Sequence, residues 1–310
     1  MISIIIPTYN RRMYLQQMLE SILEQTYQEI EIIVIDDNST DETKAYMKDC
    51  ISNYKNIRYI QNTENKGAGY NRRIGYLNSS GEYIIFADDD DYYIDNTFFE
   101  KTISCYEKNH DKNLSFVSGN VKILDEASGE FKQTNLGISG FMERRKYLES
   151  FQVNYQKPYS TFTTIFKRSK LEESHFKDVE MVNDSTIYLR ALLCGNGYIL
   201  TDIIGIYRVH EVNISKNLDV EFLIDNLEEK RRISEIIKKN EYIFNADEWW
   251  MNQFKMTIEY FISFSKVNMS DFEKIEQWVL SKQKKGKIKL RILLKHYKKI
   301  SRKIQINNNH

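Results

Sequence analysis

Over its first ninety residues the chain alternates between short unbroken apolar runs and segments in which apolar residues recur at helical spacing. ISIIIP at 2–7 reads as a buried strand, with a turn at Thr8–Arg12. Met13, Leu15, Met18, Leu19 and Ile22 then mark one face of a helix reaching Gln25. EIEIIVIDD at 29–37 is a second strand ending in two carboxylates. Asn38-Ser39-Thr40 offers a helix N-cap, and Asp41 and Glu42 follow in the first turn. NIRYIQN at 56–62 is a third strand. NKGAG at 65–69 turns into a helix over 70–79, and GEYIIFADDDD at 81–91 is a fourth strand running into consecutive aspartates.

Unbroken apolar strands separated by amphipathic helices predict an α/β fold: a mostly parallel central sheet with helices on both faces. Ligands of such sheets bind beyond the carboxyl ends of the strands. PTYN (7–10), DDNSTD (36–41) and DDDD (88–91) all fall at such ends. After about residue 95 the pattern mixes strands at 116–124, 160–168 and 198–210 with a helix at 181–195. From about Val220 it is helical almost throughout. The expected division is an α/β region, 1–217, and a helical region, 218–310.

Composition narrows the class. At 310 residues, 41% hydrophobic and 28% charged, the chain can bury a sizeable core, which excludes wholesale disorder. Cys50, Cys105 and Cys194 are scattered and form no CxxC pair, which argues against a disulfide scaffold and fits a reducing compartment. No apolar run approaches the roughly 20 residues of a membrane helix, and no charged segment precedes the first strand as in a signal peptide. The expected location is cytoplasmic, including the inner face of the membrane.

The zero net charge hides an asymmetry. Residues 281–310 hold eleven Lys and Arg and no acid, which leaves the remainder at −11. Ile288, Ile292, Leu293, Tyr297, Ile300 and Ile304 give this end an amphipathic pattern. A basic helix over 282–304 therefore suits an anionic membrane surface; the competing reading is a helix packed on its own domain. Nucleic acid is not expected as a partner, because the body is acidic and carries no nucleic-acid-binding module.

Asp88-Asp89-Asp90-Asp91 carries the densest chemistry. Asp88 and Asp90 can point the same way from an extended chain. Adjacent carboxylates repel unless a cation compensates, and hard oxygen ligands suit Mg²⁺ or Mn²⁺ bridged to substrate phosphates. Taken alone, such a run is as often a solvated loop. Asp36-Asp37 could accept hydrogen bonds from a base or ribose, or cap a helix, and Tyr9 could stack on a nucleobase. Neither GxGxxG nor GxxxxGK[ST] occurs, which disfavours a standard dinucleotide site and a P-loop. Trp249-Trp250 lies in a helical pattern with Phe254, Ile258 and Phe261 and reads as packing before sugar stacking.

Taken in order, IIIPTYN…VIDDNSTDET, NKGAGYNRRIG, GEYIIFADDDD, Asn183-Asp184 and YRVH at 207–210 resemble the family-2 glycosyltransferases over about residues 1–215. The resemblance implies an inverting, metal-dependent enzyme of the A-type nucleotide-sugar fold. It implies that Pro7, Tyr9 and Asp37 border the uracil of a UDP-sugar, with Asp36 nearby, and that Lys66, Gly67 and Arg72 lie along the nucleotide. Asp88, Asp89 and Asp90 match the aspartate motif, with Asp90 as direct metal ligand and His210 beside it. Asp184 matches the catalytic base. Two positions depart from the family pattern: Asn183, where Glu is common, and Arg73, where Asn is usual. The implied acceptor is a glycan or lipid-linked glycan of a bacterial surface polymer. Two rivals are a nucleotidyltransferase on a related fold, which should carry a Gly-rich first loop, and a non-catalytic nucleotide-sugar-binding module.

Overall fold

The computed structural model describes residues 1–180, 182–210, 219–240, 244–264, 268–282, 289–291 and 293–298. The chain divides into two compact units, Met1–His210 and Glu211–His310. The boundary expected at 217/218 falls among residues 211–218, outside the described ones.

The first unit opens with β1 (Ile2–Thr8), α1 (Arg12–Leu23), β2 (Ile30–Asp36), α2 (Thr43–Asn53), β3 (Ile57–Gln61), α3 (Ala68–Leu77) and β4 (Tyr83–Phe86). These four strands are parallel, in the order β3-β2-β1-β4. There follow β5 (Tyr92–Tyr93), α4 (Phe98–Lys108), β6 (Leu114–Asp125), β7 (Glu130–Gln133), β8 (Gly140–Met142), α5 (Arg144–Glu149), β9 (Thr164–Lys167), α6 (Arg168–Glu173), α7 (Asp184–Cys194) and β10 (Asn196–Val209). β9 runs antiparallel to β4 and β6, while β10 is parallel to β6, so the second half of the sheet is mixed.

Side-chain alternation assigns the two faces. Ile2, Ile4 and Ile6 share a core with Leu15, Met18, Leu19 and Ile22 of α1, Met47 of α2 and Phe98 of α4. Ile5 and Ile35 point the other way, onto α3. There Gly75 comes so close that a Cβ on it would lie 2.2 Å from Ile5 Cγ2 and 2.8 Å from Ile35 Cδ1. Gly75→Ala should therefore destabilise the protein. The helix-propensity gain of about 1 kcal/mol is outweighed by overpacking that typically costs about 1–3 kcal/mol or more. A lower urea midpoint at unchanged slope is the expected result.

The same alternation explains a proline in a central strand. Ile5 O accepts from Ala87 N, on the β4 side, whereas Thr8 O accepts from Asp37 N, on the β2 side. Pro7 lies on the β4 side, but the β1–β4 pairing ends at Ile5 and Phe86. Its missing N–H therefore leaves no ladder bond unmade. Beyond that point β1 and β4 part. Strand order also reverses between them, which makes their carboxyl ends the switch-point crevice of the sheet.

The helix expected from the 38–40 cap starts later, at Thr43. Ser39 and Thr40 hold the first loop instead: Ser39 Oγ accepts from Asn10 N at 2.9 Å, and Thr40 N donates to Asn10 Oδ1 at 2.7 Å.

The second unit contains α8 (Val220–Lys239), α9 (Ala246–Phe264) and α10 (Met269–Lys282). Trp249 and Trp250 are buried, and the Trp250 ring meets Phe254 and Trp278 edge-on, so these tryptophans pack the unit's interior. Of the basic end, residues 289–291 and 293–298 are helical. Leu290, Leu294 and Tyr297 there are buried, and Arg291 pairs with Glu276 at 2.9 Å. Residues 283–288, 292 and 299–310, with much of the expected amphipathic pattern, lie outside the described ones. Among the described residues no helix is long and apolar enough to cross a membrane.

Candidate active site

The adjacent carboxylates at the end of β2 take different tasks. Asp36 is fully buried and accepts from Ser39 N at 2.8 Å and from the Tyr59 hydroxyl, which fixes the turn beneath the crevice. Asp37 pins the loop before α3: its Oδ1 accepts from Lys66 N and Asn62 Nδ2, and its Oδ2 from Gly67 N, each at 2.8 Å. Gly67 has φ +83°, a conformation that suits glycine. Tyr9 is 45% exposed on the neighbouring loop, while Pro7 is buried in the strand. The Lys66 ammonium turns out to Glu64.

Four consecutive aspartates survive here because partners from several elements compensate them. Asp88 pairs with Arg72 of α3. Asp89 Oδ1 lies 3.0 Å from Arg11 Nη1 in the β1–α1 loop. Asp90 Oδ2 lies 2.8 Å from the same Arg11 nitrogen and 2.9 Å from His210 Nε2 at the end of β10. Asp91 accepts from Arg208 N at 3.0 Å and from Ser160 Oγ at 3.3 Å.

Their acidities diverge accordingly. Burial, then the Asp90 charge, pushes the Asp89 carboxyl up to about 7. Burial likewise raises Asp88, and raises Asp91 well above the carboxylate range. Burial also pushes Asp90 up, but the hydrogen bond from His210 and the Arg11 charge outweigh it and hold Asp90 below its ordinary value. Asp90 is therefore the most acidic member of the run.

Arg208 is an anchor: Nη1 donates to Asp90 O at 2.5 Å and Nε lies 3.3 Å from Glu126. Its guanidinium sits over the Tyr14 and Tyr92 rings, at 5.0 and 4.6 Å from their centroids. Tyr14 also stacks on His210, with centroids 5.6 Å apart, and so orients the imidazole.

Asp184 opens α7 but does not cap it. Asn183 does: its Oδ1 accepts from Thr186 N at 3.0 Å. The Asp184 carboxylate is left to face Arg72 Nη1 at 3.4 Å and Lys157 Nζ at 3.3 Å. The buried Arg72 guanidinium thus joins Asp184 to Asp88. Burial pushes the Asp184 carboxyl up, yet Lys157 and then Arg72 overcome it and hold it below the usual range.

Fit to a divalent ion can be judged from the donors. An ion with bonds of about 2.1 Å places adjacent octahedral ligands about 3.0 Å apart, close to the 2.9 Å between Asp90 Oδ2 and His210 Nε2. Asp89 Oδ2 is buried with no hydrogen-bond partner among the described residues. Those residues contain no ready-made cage of three His, Cys or carboxylate ligands.

Asp88, Asp89, Asp90, Asp184, Arg72 and His210 therefore come together in one linked cluster. Asp36, Asp37, Lys66 and Gly67 form the adjoining β2–α3 wall. Arg11 and Lys157 escaped the sequence reading. Arg11 sat within PTYNRR, where the second of two arginines looked equally available. Lys157 lies in an irregular stretch with no periodic signal.

Residues 3–174 match the family model described as Glycosyl transferase family 2. The chain is 29% identical over 211 residues to the GalNAc(5)-diNAcBac-PP-undecaprenol beta-1,3-glucosyltransferase of Campylobacter jejuni, covering 67% of this chain and 64% of that protein. It thus spans just under two thirds of that relative's length. It is 35% identical over 128 residues to the UDP-Glc:alpha-D-GlcNAc-diphosphoundecaprenol beta-1,3-glucosyltransferase WfgD of Escherichia coli, covering 41% of this chain and 48% of that one. Among solved structures, TarS 1-349 of S. aureus in complex with UDP-GlcNAc superposes with a TM-score of 0.66 at 20% identity, over 90% of this chain and 78% of that one. That likeness establishes the fold.

Proposed function

The chain belongs to glycosyl transferase family 2, and from that premise we propose that it moves a sugar from a UDP-sugar to a hydroxyl of a lipid-linked glycan, inverting the anomeric centre with the aid of Mn²⁺ or Mg²⁺. The observation that carries the reading is the Arg72 guanidinium, which holds Asp184 of α7 against the strand-end aspartates. A group able to take a proton is thereby tied through one guanidinium to Asp88, the first residue of the run whose later members Asp89 and Asp90 could hold a diphosphate counter-ion.

The donor's nucleotide is assigned to the wall formed by Tyr9, Asp37 and the Lys66–Gly67 segment. The acceptor hydroxyl oxygen attacks the anomeric carbon as Asp184 takes its proton. The bond from that carbon to the diphosphate oxygen breaks, and the electron pair leaves with the diphosphate. Asp90 and His210, with Asp88 and Asp89 beside them, are the residues that would hold the divalent ion, whose charge, when bound, offsets that of the departing diphosphate. The names of the C. jejuni and E. coli relatives, both undecaprenol-diphosphate glucosyltransferases, support a lipid-linked acceptor. Membrane docking through 282–304 is proposed from its basic charge and apolar pattern; of that pattern Tyr297 is buried, while Ile288, Ile292, Ile300 and Ile304 lie outside the described residues.

The reading is tested by UDP release from a panel of UDP-sugars, with and without EDTA. EDTA-sensitive release supports it. Binding without release from any donor would identify a non-catalytic module instead.

The pair between Lys157 and Asp184 makes a separate, signed prediction. Asp184 must be ionised to accept a proton, so turnover falls as pH drops through its pKa. Lys157→Met removes one of the two cations that depress that pKa. The acid limb of the kcat profile should then move to higher pH. A limb that stays in place would mean that Asp184 is not the titrating base.

A further inference from the structure

One guanidinium occupies the place where the divalent ion is needed. Arg11 Nη1 lies 3.0 Å from Asp89 Oδ1 and 2.8 Å from Asp90 Oδ2, and that same Asp90 oxygen faces His210 Nε2 at 2.9 Å. A carboxylate oxygen that donates its electrons to a metal cannot also hold a cationic N–H along the same direction. Arg11 and His210 already take both lone-pair directions of Asp90 Oδ2, so an ion bound there must displace one of them, and its charge repels the guanidinium on the same oxygen. Asp89 and Asp90 are almost wholly buried, so the charge they carry needs a counter-ion in either state.

We propose that Arg11 is a built-in counter-cation that competes with the divalent ion for Asp89 and Asp90 and transfers to the donor's diphosphate once the ion is in place. The inference rests on the metal reading above and adds an order to it: the ion alone binds weakly, and binds well only when a diphosphate arrives to receive the displaced arginine. Three observations support the exchange. Arg11 comes from a loop and not from a helix or strand: it precedes the first residue of α1, and its side chain is 19% exposed. It borders an open cavity of about 420 Å³ next to Asp41 and Glu42, so the side chain has room to leave the carboxylates. A guanidinium also fits phosphate oxygens through paired N–H donors, as it fits carboxylates. The arrangement keeps the cluster neutralised between turnovers and couples ion affinity to donor affinity, reciprocally by thermodynamic linkage.

Mn²⁺ titration followed by electron paramagnetic resonance, without nucleotide, tests this on the whole chain. Arg11→Gln should bind Mn²⁺ at least about tenfold more tightly than wild type. The gain in Mn²⁺ affinity on adding UDP should shrink correspondingly. Arg11→Lys keeps a charge for the aspartates if glutamine does not support folding; as a point charge without the paired fork it should lie between the two. Asp90→Ala provides the control on the parent reading. If Asp90→Ala abolishes Mn²⁺ binding while the folded Arg11 variants bind it as wild type does, the competition is refuted and the metal site stands. If Asp90→Ala binds Mn²⁺ like wild type, the metal assignment fails and the inference falls with it.

Discussion

Asp184→Asn should slow sugar transfer by about a hundredfold or more while UDP binding stays nearly unchanged. Asparagine keeps the shape of the side chain and an oxygen for one of Arg72 and Lys157, which now take separate oxygens, but it cannot take the acceptor's proton. The helix should survive, because Asn183 and not Asp184 caps α7. Arg72 keeps Asp88, and Lys157 keeps the Pro158 and Tyr159 carbonyls at 3.2 and 3.4 Å. Steady-state rates, UDP titration and thermal unfolding together separate the roles. If affinity for UDP collapses together with the rate, Asp184 is a donor-binding or structural residue, and the proton acceptor must be sought elsewhere.

Loss of Asp90 should be comparably severe and differ in character. Asp90 is the member of the aspartate run held below its ordinary value, where Asp88, Asp89 and Asp91 are pushed up, and its Oδ2 faces both Arg11 and His210. Asp90→Ala should abolish most transfer and the response to Mn²⁺. It also strips Arg11 and His210 of a buried partner, and breaking a buried ion pair costs about 3–5 kcal/mol. Asp90→Asn, which keeps an acceptor oxygen, is therefore the companion variant, expected to fold normally and to remain nearly inactive at ordinary Mn²⁺ concentrations. Full activity that EDTA does not touch, in either variant, would refute the metal assignment.

The elements most legible in the chain were those set by near neighbours. Strands at 2–7 and 29–37 and the helix at 70–79 follow from local periodicity, and they stand within a residue or two of the expected bounds. That the first four strands run parallel followed from strand–helix alternation; their order, β3-β2-β1-β4, did not. Nor did the mixed half. β9 enters the sheet between β4 and β6, which precede it by 78 and 39 residues at their nearest ends, and no local pattern encodes such an insertion.

The candidate site divides along the same line. The chain by itself determined which residue types stand at the strand ends, because buried strands must be apolar and their polar termini show plainly against them. It could not say how a run of four carboxylates is neutralised. That required Arg11, 78 and 79 positions from Asp89 and Asp90; Arg72, 16 from Asp88; and His210, 120 from Asp90. That Asn183 caps α7 while Asp184 faces Lys157 and Arg72 likewise shows only in the folded chain. Periodicity is written in short-range backbone geometry and is readable one segment at a time. Charge pairing acts through space between side chains that only the folded sheet brings together, so the tertiary structure alone decides which cation serves which acid.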